Sequence, residues 1–252
     1  MKLTIFNGSP RGKNSNSAVL TKWIAQGAAE AERAAGETGE TERVTGEIGD
    51  KERSAGETSG TVRVEYEELF LVKTQEHKSY AKKFEESDIS LLVFPLYTDS
   101  MPGIVAAFIE ELASLAGKMQ GKKLGFVVHS GFPEACHSRY VEKYLVRLTG
   151  ILGADYAGTA VMGSSEPTRM IPESKQQKKG ELFARLGRSI VREGSFDKAT
   201  LYELAPLEKL TGLTLLIYKM GSATGLFKIF FRSLLKQNNT LKTSFARPYE
   251  GE

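Results

Sequence analysis

The chain predicts an α/β fold, a doubly wound five-stranded parallel sheet with helices on both faces and a helical C-terminal extension. Three observations point there. Short runs rich in β-branched and aromatic residues read as parallel strands buried on both faces. Amphipathic stretches of helical period separate them, and the alternation places five strands between residues 2 and 162. Polar turn formers close the runs at their carboxyl ends.

The first run, 2–6 (KLTIF), stops at Asn7-Gly8. From Asn16 the period becomes helical, with Val19, Leu20, Trp23, Ile24 and Ala28 on one face. A strand is expected over 62–72 (VRVEYEELFLV), a helix near 80–86 and a buried strand over 89–94 (ISLLVF). Pro102 opens a helix over 102–115 that turns Glu110 and Glu111 outward. A strand at 124–129 (LGFVVH), a helix at 134–152 and a strand at 157–162 complete the pattern. Further on, helices are expected at 181–193 and 199–204. The apolar stretch 213–235 carries Lys219, Lys228 and Arg232 around Gly221 and Gly225, which suits two amphipathic pieces better than a membrane span. This divides the chain into a sheet domain over 1–170 and a helical extension over 171–252 packed on the same domain.

Composition narrows the chemistry. Of 252 residues 40% are hydrophobic, a globular balance, and no run reaches the roughly 18–20 apolar residues of a membrane helix. No signal core follows Met1, so a cytoplasmic location is expected. A single cysteine, Cys136, excludes an internal disulfide framework and a cysteine-held iron–sulfur cluster. His77, His129 and His137 lack metal-ligand spacing, so no metal is expected and redox chemistry would need an organic cofactor.

Charge is uneven. Residues 30–60 hold nine acidic against four basic side chains, leaving +8 on the remainder of a chain whose net charge is +3. That mildly basic remainder suits a nucleotide but has no clustered stripe for nucleic acid. ERAAGETG, ERVTGEIG and ERSAGETS begin at Glu32, Glu42 and Glu52, a ten-residue repeat without aromatics. It matches no stacking unit, so 35–60 is expected to be a disordered acidic insertion.

The strongest signal lies between the first strand and the first helix, where Gly8-Ser9-Pro10-Arg11-Gly12-Lys13-Asn14-Ser15-Asn16-Ser17 follows Asn7. Unpaired N–H groups and the helix dipole favour an anion at such a place. Ser9, Ser15, Asn16 and Ser17 offer neutral donors, and Arg11 a fork suited to phosphate oxygens. The loop has neither the Gly-Lys-Ser/Thr ending of a nucleotide-hydrolysing loop nor the three-glycine dinucleotide fingerprint. A monophosphate that is held rather than transferred fits best.

This segment resembles the phosphate loop of the NADPH-dependent FMN reductases and related flavodoxin-like oxidoreductases. Two more loops fit the same family. Pro95-Leu96-Tyr97-Thr98-Asp99-Ser100-Met101-Pro102 follows the third strand, and His129-Ser130-Gly131-Phe132-Pro133-Glu134 the fourth. All three would sit at carboxyl ends of parallel strands, where such sheets bind ligands. The resemblance spans roughly residues 1–165 apart from the insertion, and implies FMN as cofactor with NAD(P)H as co-substrate. It assigns the FMN phosphate to Ser9, Arg11, Ser15, Asn16 and Ser17. Pro95, Leu96, Tyr97 and Thr98 would run along the flavin ring, and Ser100, Ser130 and Gly131 would bond its polar edge. It further implies hydride transfer to a small-molecule acceptor (a quinone, nitro or azo compound, flavin or metal ion) and a homodimer.

The flavin carries the hard step, so no catalytic acid or base is assigned. Cys136 and His137 are neighbours at a helix start and do not face each other as a nucleophile–base pair. His129 reads as a packed or ring-adjacent histidine, Asp99 as a cap for the helix at Pro102, and Glu134 as a carboxylate favoured by a helix dipole. The stripe Leu226, Phe227, Ile229, Phe230, Phe231, Leu234 and Leu235 reads first as core or dimer contact, and only second as a lid or a membrane-surface helix with Lys228, Arg232 and Lys236. A non-enzymatic electron carrier is the main rival, although dedicated flavodoxins are small and strongly acidic while this chain has a pI near 8.8. A flavin-free scaffold acting through the acidic repeat is the other.

Overall fold

Five parallel strands carry the functional loops. In the computed structural model, which describes residues 1–45, 63–237 and 239–247, they are β1 (Lys2–Asn7), β2 (Glu65–Phe70), β3 (Ile89–Pro95), β4 (Lys123–His129) and β5 (Asp155–Met162). They pair in the order β2-β1-β3-β4-β5, the flavodoxin-like arrangement. The strand order reverses between β1 and β3, which opens a crevice at the carboxyl ends of those strands. Helices α1 (Asn16–Thr45), α2 (His77–Glu86), α3 (Gly103–Glu111) and α4 (Arg139–Leu152) alternate with the strands. After β5 come α5 (Gln177–Glu193), α6 (Lys198–Leu204), α7 (Gly212–Ala223) and α8 (Leu226–Gln237). Contacts divide the chain into two compact units, Met1–Glu208 and Lys209–Glu252, so α5 and α6 belong with the sheet.

Burial on both faces explains why the inner strands are continuously apolar. Phe6, Leu92, Phe94 and Phe126 pack with Tyr80, Phe84, Val105, Phe108 and Leu145 of α2, α3 and α4. Their neighbours Leu3, Ile5, Leu91, Val93 and Val127 point the other way, onto Leu20, Trp23 and Ile24 of α1 and Phe183, Leu186 and Ile190 of α5. The edge strand β2 keeps Glu65, Glu67 and Glu68 among its six residues, as an edge tolerates. Two glycines let α1 and α5 cross closely. A Cβ on Gly27 would overlap the Ala184 backbone, and one on Gly187 the Ile24 carbonyl.

Several expected boundaries shift. Helix α3 begins at Gly103 with Pro102 at its N-cap, and the helix expected from 134 starts as a 3-10 turn, Ala135–Ser138, before α4. Helix α1 runs on to Thr45, well into the stretch expected to be unfolded. Ala, Glu and Arg over 28–43 favour helix strongly enough to carry Gly36 and Gly39, each a penalty of about 1 kcal/mol. The rest of that insertion, 46–60, lies outside the described residues. The pieces expected within 213–235 are α7, opened by a Thr211–Thr214 capping box, and α8, with Gly225 at φ 74° between them.

Candidate functional site

The loop after β1 is built by its own polar side chains. Asn7 Oδ1 accepts the Ser9 N–H (3.1 Å) while Asn7 Nδ2 donates to Glu68 of β2 (3.0 Å). The Arg11 N–H donates to Ser9 Oγ (3.3 Å), and Gly12 turns the chain at φ 55°, a conformation suited to glycine. Ser15 is the N-cap of α1: its Oγ accepts the Ala18 N–H (3.1 Å) and donates to the Gly12 carbonyl (2.6 Å). The first-turn N–H groups of α1 have no acceptor within the helix and converge with its dipole on this loop.

Asn16 and Ser17 face inward and are already engaged. Asn16 Nδ2 donates to the Glu166 carbonyl (3.2 Å), and Asn16 Oδ1 accepts the Arg169 N–H (3.0 Å). It thereby straps the segment after β5 onto the start of α1. The Ser17 hydroxyl meets His129 Nε2 at 2.8 Å, and His129 Nδ1 meets the Ser165 hydroxyl at 2.9 Å. His129 is fully buried at the end of β4, and burial lowers its pKa to about 3. The ring is therefore neutral, with one nitrogen donating and the other accepting, and it joins α1, β4 and the segment after β5.

These parts enclose a pocket of about 70 Å³, the scale of a phosphoryl group rather than of a whole flavin. Ser9, Arg11, Ser15 and Asn16 line it from the first loop, Pro95, Leu96 and Tyr97 from the second, and Ser130 and Gly131 from the third. His129, Ser165 and Glu166 complete the wall. Three loops distant in sequence thus meet where the strand order reverses. Ser17 lies behind the pocket on His129, and Thr98 and Ser100 stand on the adjoining turn rather than in the wall. Ser165 and Glu166 were missed in the sequence because nothing in a Ser-Ser-Glu stretch after a strand distinguishes it from an ordinary loop.

Arg11 is the charged donor of the wall. Its guanidinium lies 3.7 Å from the Glu166 carboxylate, and both side chains are nearly half exposed, so the pair is weak. A phosphate entering the pocket would meet the same guanidinium with more charge and two-oxygen geometry.

The second loop is held under strain. The backbone N–H and C=O of Tyr97 and Ser100 exchange hydrogen bonds (2.8 and 3.0 Å) around Thr98 and Asp99, which take φ 50° and 58°. Consecutive left-handed residues define a type I′ turn, unusual without glycine and of the kind retained at functional loops. Asp99 does not cap α3, whose N-cap Pro102 has no side-chain bond; its carboxylate instead accepts from His137 Nδ1 (2.9 Å). His137 also stacks on Phe132 with ring centroids 4.4 Å apart. Tyr97 and Phe132 leave about half of their surface exposed beside the pocket, an apolar ledge for a planar ring. Among the described residues no three His, Cys, Asp or Glu side chains gather as a metal site.

Comparison with known proteins identifies the family. A family model described as NADPH-dependent FMN reductase matches residues 1–164. The solved structure of the azoreductase AzrA is similar at TM-score 0.50 and 15% identity, covering 75% of this chain and all of that one, which supports the fold. An FMN-dependent NADH-azoreductase from Bacillus anthracis, solved with FMN, has TM-score 0.49 and 13% identity over 76% of this chain and 100% of its own. The Trp repressor binding protein from Bacillus subtilis has TM-score 0.48 and 14% identity over 73% and 96%. No curated protein matches. No helix among the described residues is long and apolar enough to cross a membrane. The chain belongs to the NADPH-dependent FMN reductase family and is an FMN-dependent oxidoreductase with NAD(P)H as co-substrate.

Proposed function

We propose that the pocket between the loops after β1, β3 and β4 receives the phosphate of FMN. The observation that carries this is convergence: three loops close on a phosphate-sized pocket at the strand switch point, with Arg11 in its wall. Ser9, Arg11 and the first-turn N–H groups of α1 supply the donors. Ser15, Asn16 and Ser17 contribute through those N–H groups, while their side chains hold the loop in shape. Pro95, Leu96, Tyr97 and Thr98 support the ring, and Ser100, Ser130 and Gly131 offer hydrogen bonds to its polar edge. When bound, FMN supplies hydride acceptance from NAD(P)H and hydride donation to an acceptor. The protein's task is to bind, orient and shield, and no side chain is assigned as acid or base. The acceptor is a small molecule: a quinone, a nitro or azo compound, a free flavin or a metal ion.

The protein acts in the cytoplasm as a homodimer, with α7 and α8 as the contact. Their Leu213, Ile217, Met220, Ile229 and Phe231 are largely exposed, an apolar surface that a second copy would cover.

The test is the visible spectrum of the purified chain after FMN addition and dialysis, followed by rapid mixing with NADPH or NADH. Retained flavin bleached directly by a nicotinamide nucleotide is the expected result. Bleaching only through a separate reductase would make the protein an electron carrier, and a colourless protein that retains no FMN would make the loop structural.

A further inference from the structure

A second cavity, of about 570 Å³, lies on the other side of the segment after β5 and shares no lining residue with the phosphate pocket. Its size is that of a small-molecule site. Met162, Ile171, Leu182, Leu204, Pro206 and Leu207 make its walls predominantly apolar. The polar side of the cavity is one-sided in charge. Lys175, Lys178 and Lys179 line it, and among the described residues none of their ammonium groups has an ion-pair or hydrogen-bond partner. The lining carboxylate, Glu203, is tied to Arg185 at 2.9 Å and leaves the lysines unneutralised.

Two further features set the charge at this end of the cavity, where Lys175 and Lys178 are exposed and Lys179 is partly covered. Lys178 and Lys179 stand in the first turn of α5, where the helix dipole already places positive charge and no acidic residue offsets it. Lys179 is half-buried, and burial lowers its pKa. Beside them Gln176, 7% exposed, donates both Nε2 hydrogens to the Thr168 and Ile171 carbonyls (2.8 and 2.7 Å). Its Oε1 is buried without a partner, an acceptor that an anion does not satisfy, so the charged end of a ligand would be met by the lysines and not by Gln176.

We propose that this cavity is a separate ligand site for an amphipathic organic anion, an apolar ring or chain bearing a carboxylate or sulfonate that meets the three lysines. Apolar walls take the body of the ligand, and the lysine cluster selects its charged end over a neutral isostere.

The experiment is calorimetric titration of the full chain with 2-naphthoate, decanoate and neutral 2-naphthamide. Naphthoate should bind with one-to-one stoichiometry and at least about tenfold more tightly than the amide, equivalent to about 1.4 kcal/mol. Preference for decanoate over naphthoate would assign the site to fatty acids rather than aryl acids, within the same chemistry. The Lys175→Gln, Lys178→Gln, Lys179→Gln triple variant keeps the length and polarity of side chains that make no ion pair, so it should keep its circular dichroism and FMN content while its naphthoate affinity falls to that of the amide. Ala205→Trp, which fills the cavity, should abolish binding of both. Absence of naphthoate binding up to its solubility limit would overturn the proposal, as would equal affinity in the triple variant. Binding that appears only on dilution to monomer would also overturn it, giving the cavity to a second copy of the chain.

Discussion

His129 should make the stability of this protein fall as the pH drops below neutrality, and His129→Gln should remove much of that dependence. Both ring nitrogens are engaged by serines, and burial lowers the ring's pKa from 6.5 to about 3. The unfolded chain therefore takes up a proton at His129 near pH 6.5 while the folded chain does not until far more acid conditions. Above pH 6.5 neither state is protonated and the contribution is fully present; it is lost progressively as pH falls toward 3. Each pH unit in that window costs about 1.4 kcal/mol, so moving from neutrality to around pH 5 should lower the unfolding free energy by about 2 kcal/mol through this residue. Glutamine keeps one donor and one acceptor for the two serines but does not titrate. The assay is urea unfolding of both proteins at several pH values, read by tryptophan fluorescence and circular dichroism. The two proteins differ only at residue 129, so the difference between the two curves isolates it. Parallel curves, with the variant uniformly less stable at every pH, would refute the reasoning and mean that His129 takes up its proton at the same pH in the folded and unfolded chains.

Arg11→Ala should weaken FMN binding by about 10- to 100-fold, the loss of one charged hydrogen-bonding fork, while riboflavin, which lacks the phosphate, should bind unchanged in a fluorescence-quenching titration. Gly187→Leu should cost about 1–3 kcal/mol in urea unfolding, because the added side chain meets the α1 backbone at Ile24. Ile229→Ser with Phe231→Ser should convert a dimer to monomer by light scattering, and the wild type should not co-sediment with anionic liposomes. Deleting 46–60 should leave FMN content and NAD(P)H oxidation intact.

Much of the fold was legible because burial on both faces leaves a plain mark. KLTIF and ISLLVF are apolar without alternation, which only central strands of a covered parallel sheet tolerate, and they are β1 and β3. Boundaries were less legible where local propensity and composition disagree. Glycine, glutamate and threonine around 36–45 read as unfolded, yet α1 runs through them because a helix already nucleated on a packed face needs little to continue. The edge strand shrank to Glu65–Phe70 for a related reason: a strand exists only where its neighbour offers partners, and β1 ends at Asn7.

The candidate site was legible in place but not in role. Sequence could locate the polar run between the first strand and the first helix, where N–H groups need an acceptor. It could not tell which polar side chains face the anion. Ser15 caps α1, Asn16 straps the segment after β5, and Ser17 bonds a histidine over a hundred residues away. These assignments depend on where β4 and β5 end, which no local pattern encodes. The same geometry explains why such side chains are needed. An anion held by backbone N–H groups requires a loop whose shape does not relax when the anion leaves, and the side chains supply that rigidity by bonding to one another. On the proposed reading, selectivity for a phosphate would rest on the preformed backbone and on Arg11, whose weak pairing with Glu166 leaves it available for exchange.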